Sequence, residues 1–272
     1  MKKISVNPRQ LLFLPYFMFV LVLVVIPLVF ILVNSFIPPA GAQDFDGFSV
    51  WKDRGFWFIF FKSFATGLLV AFIALAIGLP YVYILVSLKN KAAQFMMISL
   101  IITPLFLFTL VKILALRGIL TIIFDVPIDN YGFLVLGLVY LNLPFMIIPL
   151  YNVLNNMPQN IVQASLDLGY TKLMTFLKVV IPYGLKAICS GVIMVFLLVI
   201  MSVAMSNKLL DNAAGNQLLG NIINDLSNPS NPFDMQKASS VVFITFIGAS
   251  VVYFAISAIP LLYRKIKGGI ND

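Results

Sequence analysis

Six long apolar stretches, separated by short polar segments, constrain this chain more than any other feature. A helix needs about 20 apolar residues to cross the hydrocarbon core of a bilayer. Six stretches are long enough, and they lie near 11–37, 58–87, 95–116, 133–155, 184–205 and 238–263. Backbone polar groups in lipid must be hydrogen-bonded within the protein, which a helix achieves by itself. The sequence therefore predicts an all-α, polytopic membrane protein with one transmembrane domain over 1–272.

The composition supports this fold class and excludes several functions. Hydrophobic residues make up 61% of the chain and charged residues 10%, against about 45–50% and 25% in soluble domains. The chain has no histidine, no glutamate and one cysteine, Cys189, which we interpret as a small core residue. Haem ligation, the usual zinc sites, a Ser-His dyad and a glutamate proton relay all need residues that are absent. We expect neither an enzyme nor a metal or cofactor site.

The lysines and arginines predict the orientation in the membrane. With the N-terminus inside, the inner segments hold eleven cations and two aspartates, and the outer segments seven cations and eight aspartates. Because inner loops are enriched in Lys and Arg, both termini are predicted to be cytoplasmic. The net charge of +8 then reflects topology, and no nucleic-acid partner is expected. The outer loops are 38–57, 117–132 and 206–237, and the longest inner loop is 156–183.

Prolines interrupt most of the predicted spans. They stand at positions 27, 80, 104, 144 and 149, with Pro260 near an exit. A proline within a membrane helix is tolerated where neighbouring helices re-satisfy the freed carbonyl groups. We expect kinked helices that pack against protein.

The inner loop is predicted to fold into two short helices, which we call the elbow (residues 158–182). Pro158 suits the first turn of a helix, with Asn155 or Asn156 as its cap. One face carries residues at helical spacing, namely Ile161, Ala164, Ser165 and Leu168. Gly169 is expected to end this helix in a left-handed conformation. Thr171 can cap the second helix, and the chain is expected to break at Ile181 because a proline follows. Helices this short are marginal alone, so the elbow is predicted to need a partner groove.

The elbow resembles the cytoplasmic-loop signature of permease subunits of type I ABC importers. That signature reads Glu-Ala-Ala, three residues, Gly, nine residues, then Ile-x-Leu-Pro. Gln163, Ala164 and Ser165 stand at its first three positions, Gly169 is its glycine, and Val179-Val180-Ile181-Pro182 fits its end. The triplet Asp167-Leu168-Gly169 also resembles the usual sequence of the family. Gln163 replaces the charged glutamate, so an ion pair made there with a partner becomes a weaker neutral hydrogen bond.

The resemblance implies a division of labour between subunits. In this family two permease chains form the pathway, and two cytoplasmic ATPases each hold one elbow. An external binding protein delivers the substrate. The chain has no G-x-x-x-x-G-K-[ST] phosphate loop, so ATP and magnesium are expected on the partner ATPase. The implied location is the plasma membrane of a bacterium.

Segments beyond the fifth predicted span resemble the polyamine branch of this family, which serves spermidine and putrescine. The matching segments are 218–223, 231–233 and 238–239. A polycation would be attracted by outer carboxylates, which stand at Asp44, Asp46, Asp53, Asp211, Asp225 and Asp234. Solvated loop acids are the other interpretation of these residues.

Four polar or sulfur-bearing residues are candidates for the pathway lining. Asn142 lies in the fourth span, and Ser202, Met205 and Ser206 lie together on the fifth, with the two serines at i and i+4. Hydrogen bonding between helices explains them equally well.

Three other functional classes are weighed against an importer subunit. A potassium-type filter run is absent from the sequence, which argues against a channel. The spans carry no paired aspartates for acid–base chemistry, which argues against an intramembrane enzyme. An ion-coupled carrier is compatible with the broken helices but leaves the elbow unexplained.

Overall fold

The chain was examined as a computed structural model that describes residues 14–37, 46–124, 129–210, 215–227 and 231–268. All regular secondary structure in these ranges is helical. The α-helices are α1 (Pro15–Phe36), α2 (Arg54–Ser87), α3 (Lys91–Ile102), α4 (Thr109–Phe124), α5 (Tyr131–Leu154), α6 (Gln159–Asp167), α7 (Lys172–Ile200), α8 (Ala204–Leu209), α9 (Leu219–Leu226) and α10 (Pro232–Gly268). Short 3₁₀ helices occupy Gly47–Lys52 and Thr103–Phe106.

The predicted all-α membrane fold is confirmed. Five helices, α1, α2, α5, α7 and α10, are long and apolar enough to cross a membrane. The sixth span is a bent pair of helices, Lys91–Phe106 and Thr109–Phe124, with an angle of 107° between them. The third span, predicted near 95–116 with an interruption at Pro104, is therefore sharply bent, and α4 extends it to Phe124.

A proline accounts for the bend in the third span. Pro104 has no N–H to donate to the preceding turn, and its ring crowds the carbonyl four residues earlier. The chain tightens into the 3₁₀ helix at that point and becomes extended at Leu107 before α4 begins. Pro80, Pro144, Pro149 and Pro260 instead lie inside continuous helices.

The fifth span ends earlier than the sequence predicts. α7 stops at Ile200, residues 201–203 form a break, and Met205 and Ser206 belong to the short helix α8. Ser202 lies in the break. The prediction that Ser202 and Ser206 share a face of one helix is therefore wrong, because the helix on which that spacing was counted ends before either residue.

The chain divides into two compact units. The larger contains residues 57–222 and 249–272. Its core is formed largely by α2, α5 and α7, whose fully buried side chains include Val70, Leu138, Met146, Leu150, Val195 and Phe196. At Gly191 of α7 a Cβ atom would lie 2.7 Å from Met146 Sδ of α5. Small residues at such crossings let membrane helices approach closely, which compensates for the lack of a hydrophobic driving force in lipid.

The smaller unit contains residues 1–56 and 223–248. Phe36 of α1 contacts Phe48 and Phe243, with ring centroids 5.3 and 5.5 Å apart. Ser240 Oγ donates to the carbonyl of Gly47 at 2.8 Å. These contacts join α1, the first 3₁₀ helix and the start of α10.

Some predicted features lie outside the described residues. They include both chain termini, whose cytoplasmic placement stays a prediction, and the outer aspartates Asp44 and Asp211. The single-domain assignment also stays a prediction.

Candidate coupling elbow and pathway residues

The inner loop folds into two short helices, as predicted, but its first helix starts differently. α6 runs from Gln159 to Asp167 with Pro158 as N-cap and no side-chain cap. Asn156 Nδ2 donates instead to the carbonyl of Asn152 at 2.7 Å. The predicted asparagine cap is therefore wrong: Pro158 itself takes the extended conformation before the helix, and Asn156 stands two positions too early.

Gly169 ends α6 in the predicted way. Its φ is +87°, in the left-handed region that glycine enters without the steric cost of a Cβ atom. The Gly169 N–H donates to the Leu166 carbonyl at 2.9 Å, and the Tyr170 N–H donates to the Ser165 carbonyl at 3.2 Å. This pair of bonds is a Schellman motif, which satisfies carbonyl groups left over at a helix end.

A buried hydrogen bond joins the two helices of the elbow. Ser165 Oγ and Thr175 Oγ1 are 2.9 Å apart, and both side chains are buried. Thr171 Oγ1 accepts from the Met174 N–H at 3.2 Å and so caps the second helix, as predicted. Because polar groups removed from water must be paired, this bond fixes the angle between the helices.

The elbow leaves many apolar side chains uncovered. Leu168 is 80% exposed and Leu173 68% exposed. Five more large apolar residues of the elbow are exposed, namely Ile161, Leu166, Tyr170, Met174 and Leu177. We call these seven residues the apolar elbow face. Exposed apolar side chains gathered on one short segment indicate a candidate interaction site.

The second elbow helix continues into the membrane without the predicted break. The Ile181 N–H donates to the Phe176 carbonyl, five residues back, so 176–180 forms a π-turn. The wider turn keeps the Pro182 ring clear of the Lys178 carbonyl, which an α-helix would place against it. Ile181 can then stay helical, and the expected interruption at this residue is wrong.

The same turn packs against the second span. The rings of Phe176 and Tyr83 lie 5.0 Å apart, and Val180 is buried. Lys178 Nζ lies 5.2 Å from the ring centroid of Tyr170. The elbow is therefore attached to α2 and α7 on one side and exposes its apolar face on the other.

The predicted coupling residues fall into three groups according to their exposure and contacts. Gln163, Ala164 and Asp167 are exposed on α6. Ser165 and Gly169 form the internal bonds described above. Ile181 and Pro182 are half-buried in the first turn of the α-helical part of α7. Only the first group has side chains available to a partner.

The pathway candidates are largely enclosed in protein. Asn142 is buried, and its Nδ2 donates to the Leu138 carbonyl at 2.8 Å. Met205 is fully buried, and a Cβ atom at Gly137 would overlap its Cε. Ser206 is also fully buried. Their assignment to the pathway stays a prediction.

Asn221 is a structural centre that the sequence pattern did not single out. Its Oδ1 accepts from Ser206 Oγ at 2.8 Å and from the Leu218 N–H at 3.1 Å. Its Nδ2 donates to the Val203 carbonyl at 3.2 Å and to Asn207 Oδ1 at 2.8 Å. The side chain thereby fills the break after α7. The sequence signal that could have indicated this role is the single asparagine within the otherwise apolar run 218–223.

The comparisons with known proteins agree with this architecture. Residues 83–268 match the family described as the inner membrane component of binding-protein-dependent transport systems. The chain belongs to this family. The matched region contains the elbow and the helices on both sides of it, and the family consists of transport permeases and not of enzymes.

Curated relatives extend the likeness to nearly the whole chain. A spermidine/putrescine transport system permease protein PotB homolog of Mycoplasma pneumoniae is 30% identical, over 97% of this chain and 96% of its own length. The Mycoplasma genitalium homolog is 29% identical, over 95% of each chain. PotB of Escherichia coli is 26% identical, over 82% of this chain and 85% of its own.

A solved structure supports the fold. A chain of the MetNI methionine ABC transporter, in inward-facing conformations, superposes with a TM-score of 0.58 at 16% identity. It covers 77% of this chain and 98% of that one. The chain is therefore a multi-pass permease of the plasma membrane, of the type I ABC importer class, and works as one component of a system with a binding protein and an ATPase.

Proposed function

We propose that this permease forms half of the pathway of an ATP-driven polyamine importer and is moved by an ATPase bound to its elbow. The apolar elbow face carries this proposal. Seven large apolar side chains are exposed on a segment that two helices and a Schellman motif hold in shape. A rigid apolar protrusion is suited to docking into a groove.

The elbow is built to transmit a displacement. The Ser165–Thr175 bond joins its two helices, and the second helix continues into α7 without a break. A push on α6 would therefore move α7 as one body, in the manner of the helix shifts that switch other proteins between states. The elbow residues proposed to contact the ATPase are Gln163, Ala164 and Asp167, together with the apolar elbow face.

The energy for transport would come from ATP hydrolysed by a partner subunit. No phosphate loop occurs in the sequence, so ATP and magnesium would be bound by a cytoplasmic ATPase dimer. The distribution of Lys and Arg favours a cytoplasmic elbow. A second permease subunit would complete the pathway, and an external binding protein would deliver the substrate to the opposite face.

Two observations support a polyamine substrate. Relatives that align along most of the chain are named as spermidine/putrescine permeases. The predicted outer segments carry eight aspartates and seven cations, whereas the inner segments are strongly basic. A polycation would meet the less repulsive side first.

Reconstitution tests this function. The chain is placed in proteoliposomes with its binding protein, second permease and ATPase, and uptake of labelled spermidine is followed with and without ATP. We expect uptake that requires ATP and the ATPase. Uptake that persists without the ATPase would indicate an ion-coupled carrier, and ATP-dependent uptake of another small solute alone would reject the polyamine.

A further inference from the structure

In the larger unit, a half-buried lysine ammonium group contacts three polar or aromatic groups at a site distant from the elbow. Lys62 lies in the first third of α2, about 30 Å along the helix from Tyr83, which contacts the elbow. Its Nζ donates to the carbonyl of Gly215 and to Asn216 Oδ1, the latter at 3.1 Å. The same Nζ lies 5.3 Å from the centroid of the Tyr131 ring.

These three groups are a complete set of ligands for a primary ammonium. A backbone carbonyl and a side-chain amide oxygen accept N–H bonds, and the face of a tyrosine ring attracts the positive charge. Gly215 has φ +81°, a conformation that L side chains rarely adopt and that lets its carbonyl point at the nitrogen.

The ligands are held in place by bonds that do not involve Lys62 Nζ. Thr66 Oγ1 and the Tyr131 hydroxyl are 2.8 Å apart, and Thr66 is buried. Asn216 Nδ2 donates to the carbonyl of Asp129 at 2.9 Å, which directs the amide oxygen of Asn216 the other way. The ring and the amide are therefore positioned in advance, as in built recognition sites.

We propose that Gly215, Asn216 and Tyr131 form a recognition site for a primary alkylammonium group, which the side chain of Lys62 occupies in this conformation. The terminal ammonium of a polyamine has the same chemistry and displaces Lys62 when substrate enters. The choice of a polyamine as the competing ligand rests on the proposed function. The site itself rests on the geometry around Lys62.

Displacement is tested by acylation of lysines in the intact transporter. The full assembly, with and without spermidine, is treated with an amine-acylating reagent in large excess over the amines of added spermidine, which also consume it. Modification is quantified residue by residue by mass spectrometry relative to Lys52. We expect spermidine to accelerate modification of Lys62 several-fold, because the displaced amine no longer donates to Gly215 and Asn216. Lys52, whose side chain is 78% exposed, is the internal control and should not change. Protection of Lys62, or no effect of spermidine, would overturn the displacement.

The vacant site is tested with the fragment that the lysine supplies. Lys62→Ala removes three methylene groups and the ammonium, which n-propylammonium replaces atom for atom. We expect n-propylammonium to raise the melting temperature of the Lys62→Ala variant in a dose-dependent way, since a ligand that binds only the folded state stabilises it. Neutral n-propanol should not, and a Lys52→Ala variant should not respond. Equal effects of amine and alcohol, or none, would show that Lys62 is only a structural latch.

Ring variants give a second measurement that does not require the lysine to be removed. Tyr131→Phe keeps the aromatic face, and Tyr131→Leu removes it. We expect Leu, and not Phe, to abolish the acceleration of Lys62 acylation by spermidine. If Leu and Phe behave alike, the ring does not bind the ammonium.

The outcomes separate this inference from the proposed function. Stabilisation by n-propylammonium in a transporter that takes up no polyamine would support the ammonium site and reject the polyamine substrate. If spermidine uptake depends on ATP but n-propylammonium does not stabilise the Lys62→Ala variant, the polyamine substrate is supported and the ammonium site is rejected.

Discussion

At the residue scale, single residues stabilise two bends of the chain. Gly169 makes the sharp turn of the elbow at φ +87°. Asn221 fills the break after α7 with four hydrogen bonds, to Ser206, Leu218, Val203 and Asn207. Gly169 can adopt a left-handed backbone conformation without steric strain. Asn221 supplies both hydrogen-bond donors and acceptors from one side chain.

Replacing Gly169 tests the elbow turn. Open space surrounds the glycine, so Gly169→Ala meets no clash, and its cost is the backbone strain of about 1 kcal/mol. We expect ATP-dependent uptake to fall while insertion into the membrane is unchanged. Gly118→Ala is the matched control, because that glycine also has open space but lies within α4. Equal uptake by the two variants would contradict the role of the turn.

Replacing Asn221 tests the break after α7. Asn221→Leu keeps the branched arrangement of heavy atoms but leaves the Leu218 N–H, the Ser206 hydroxyl and the Val203 carbonyl without this partner. A buried polar group left unpaired costs about 1–3 kcal/mol, so we expect a clear loss of thermal stability. Asn224→Leu alters an exposed asparagine of the same helix and should change stability by only about 0.5 kcal/mol. Comparable melting temperatures would argue against the central role of Asn221.

At the element scale, a π-turn precedes a proline in two different helices. Ile26 and Ile181 each donate to a carbonyl five residues back and each precede a proline. The extra residue in the turn moves the carbonyl that the proline ring would strike. In α1 the π-turn only continues a membrane helix, whereas in α7 it sets the rotation of the elbow relative to the span.

Removing the proline of α7 tests that rotation. In Pro182→Ala the restored N–H can bond to the Lys178 carbonyl, which favours an ordinary α-helical turn. Loss of one residue from the turn rotates the preceding segment by about 100° and moves Thr175 away from Ser165. We expect faster hydrogen exchange in 172–175 and lower uptake. Pro27→Ala relaxes the equivalent turn of α1 and should leave uptake unchanged. A loss of uptake in both variants would indicate general damage by proline removal.

At the scale of the whole molecule, the described surface shows what the chain needs from other molecules. Apart from Ser35, no residue of α1 is buried within the chain, so this helix requires lipid or another protein around it. The apolar elbow face belongs to the longest predicted inner loop, 156–183. An apolar surface that docks into a groove binds less well when a charged side chain is placed on it, because the charge must be buried.

A charge on the apolar elbow face tests docking of the ATPase. Leu168 is 80% exposed, so Leu168→Asp should change the stability of the isolated chain by only about 0.5 kcal/mol. We expect it to abolish co-purification of the ATPase, because an unpaired carboxylate would be buried in the interface. Asn156→Asp adds the same charge to an exposed position just before the elbow and should retain the ATPase. Retention by both variants would show that the elbow face is not the interface.

The sequence predicted the elements better than their interruptions. Apolar run length located the spans, and Gly169 and Thr171 fixed the end of α6 and the start of the second elbow helix, because these signals act within a few residues. A kink at Pro104 was predicted but not its angle of 107°, and the continuity through Ile181 and the end of α7 at Ile200 were not predicted. A proline can kink, end or widen a helix, and the choice depends on which neighbours satisfy its freed carbonyls.

The sequence by itself determined that this is an all-α membrane permease with a two-helix elbow of the importer type, because hydrophobic length, Lys and Arg placement and a spaced loop motif are local properties. Only the tertiary structure decided which side chains of the elbow are bonded internally and which are exposed. It alone brought Lys62, Tyr131 and Asn216 together from three distant segments. Such contacts depend on how the helices cross, and crossing is set by the fit of many side chains at once.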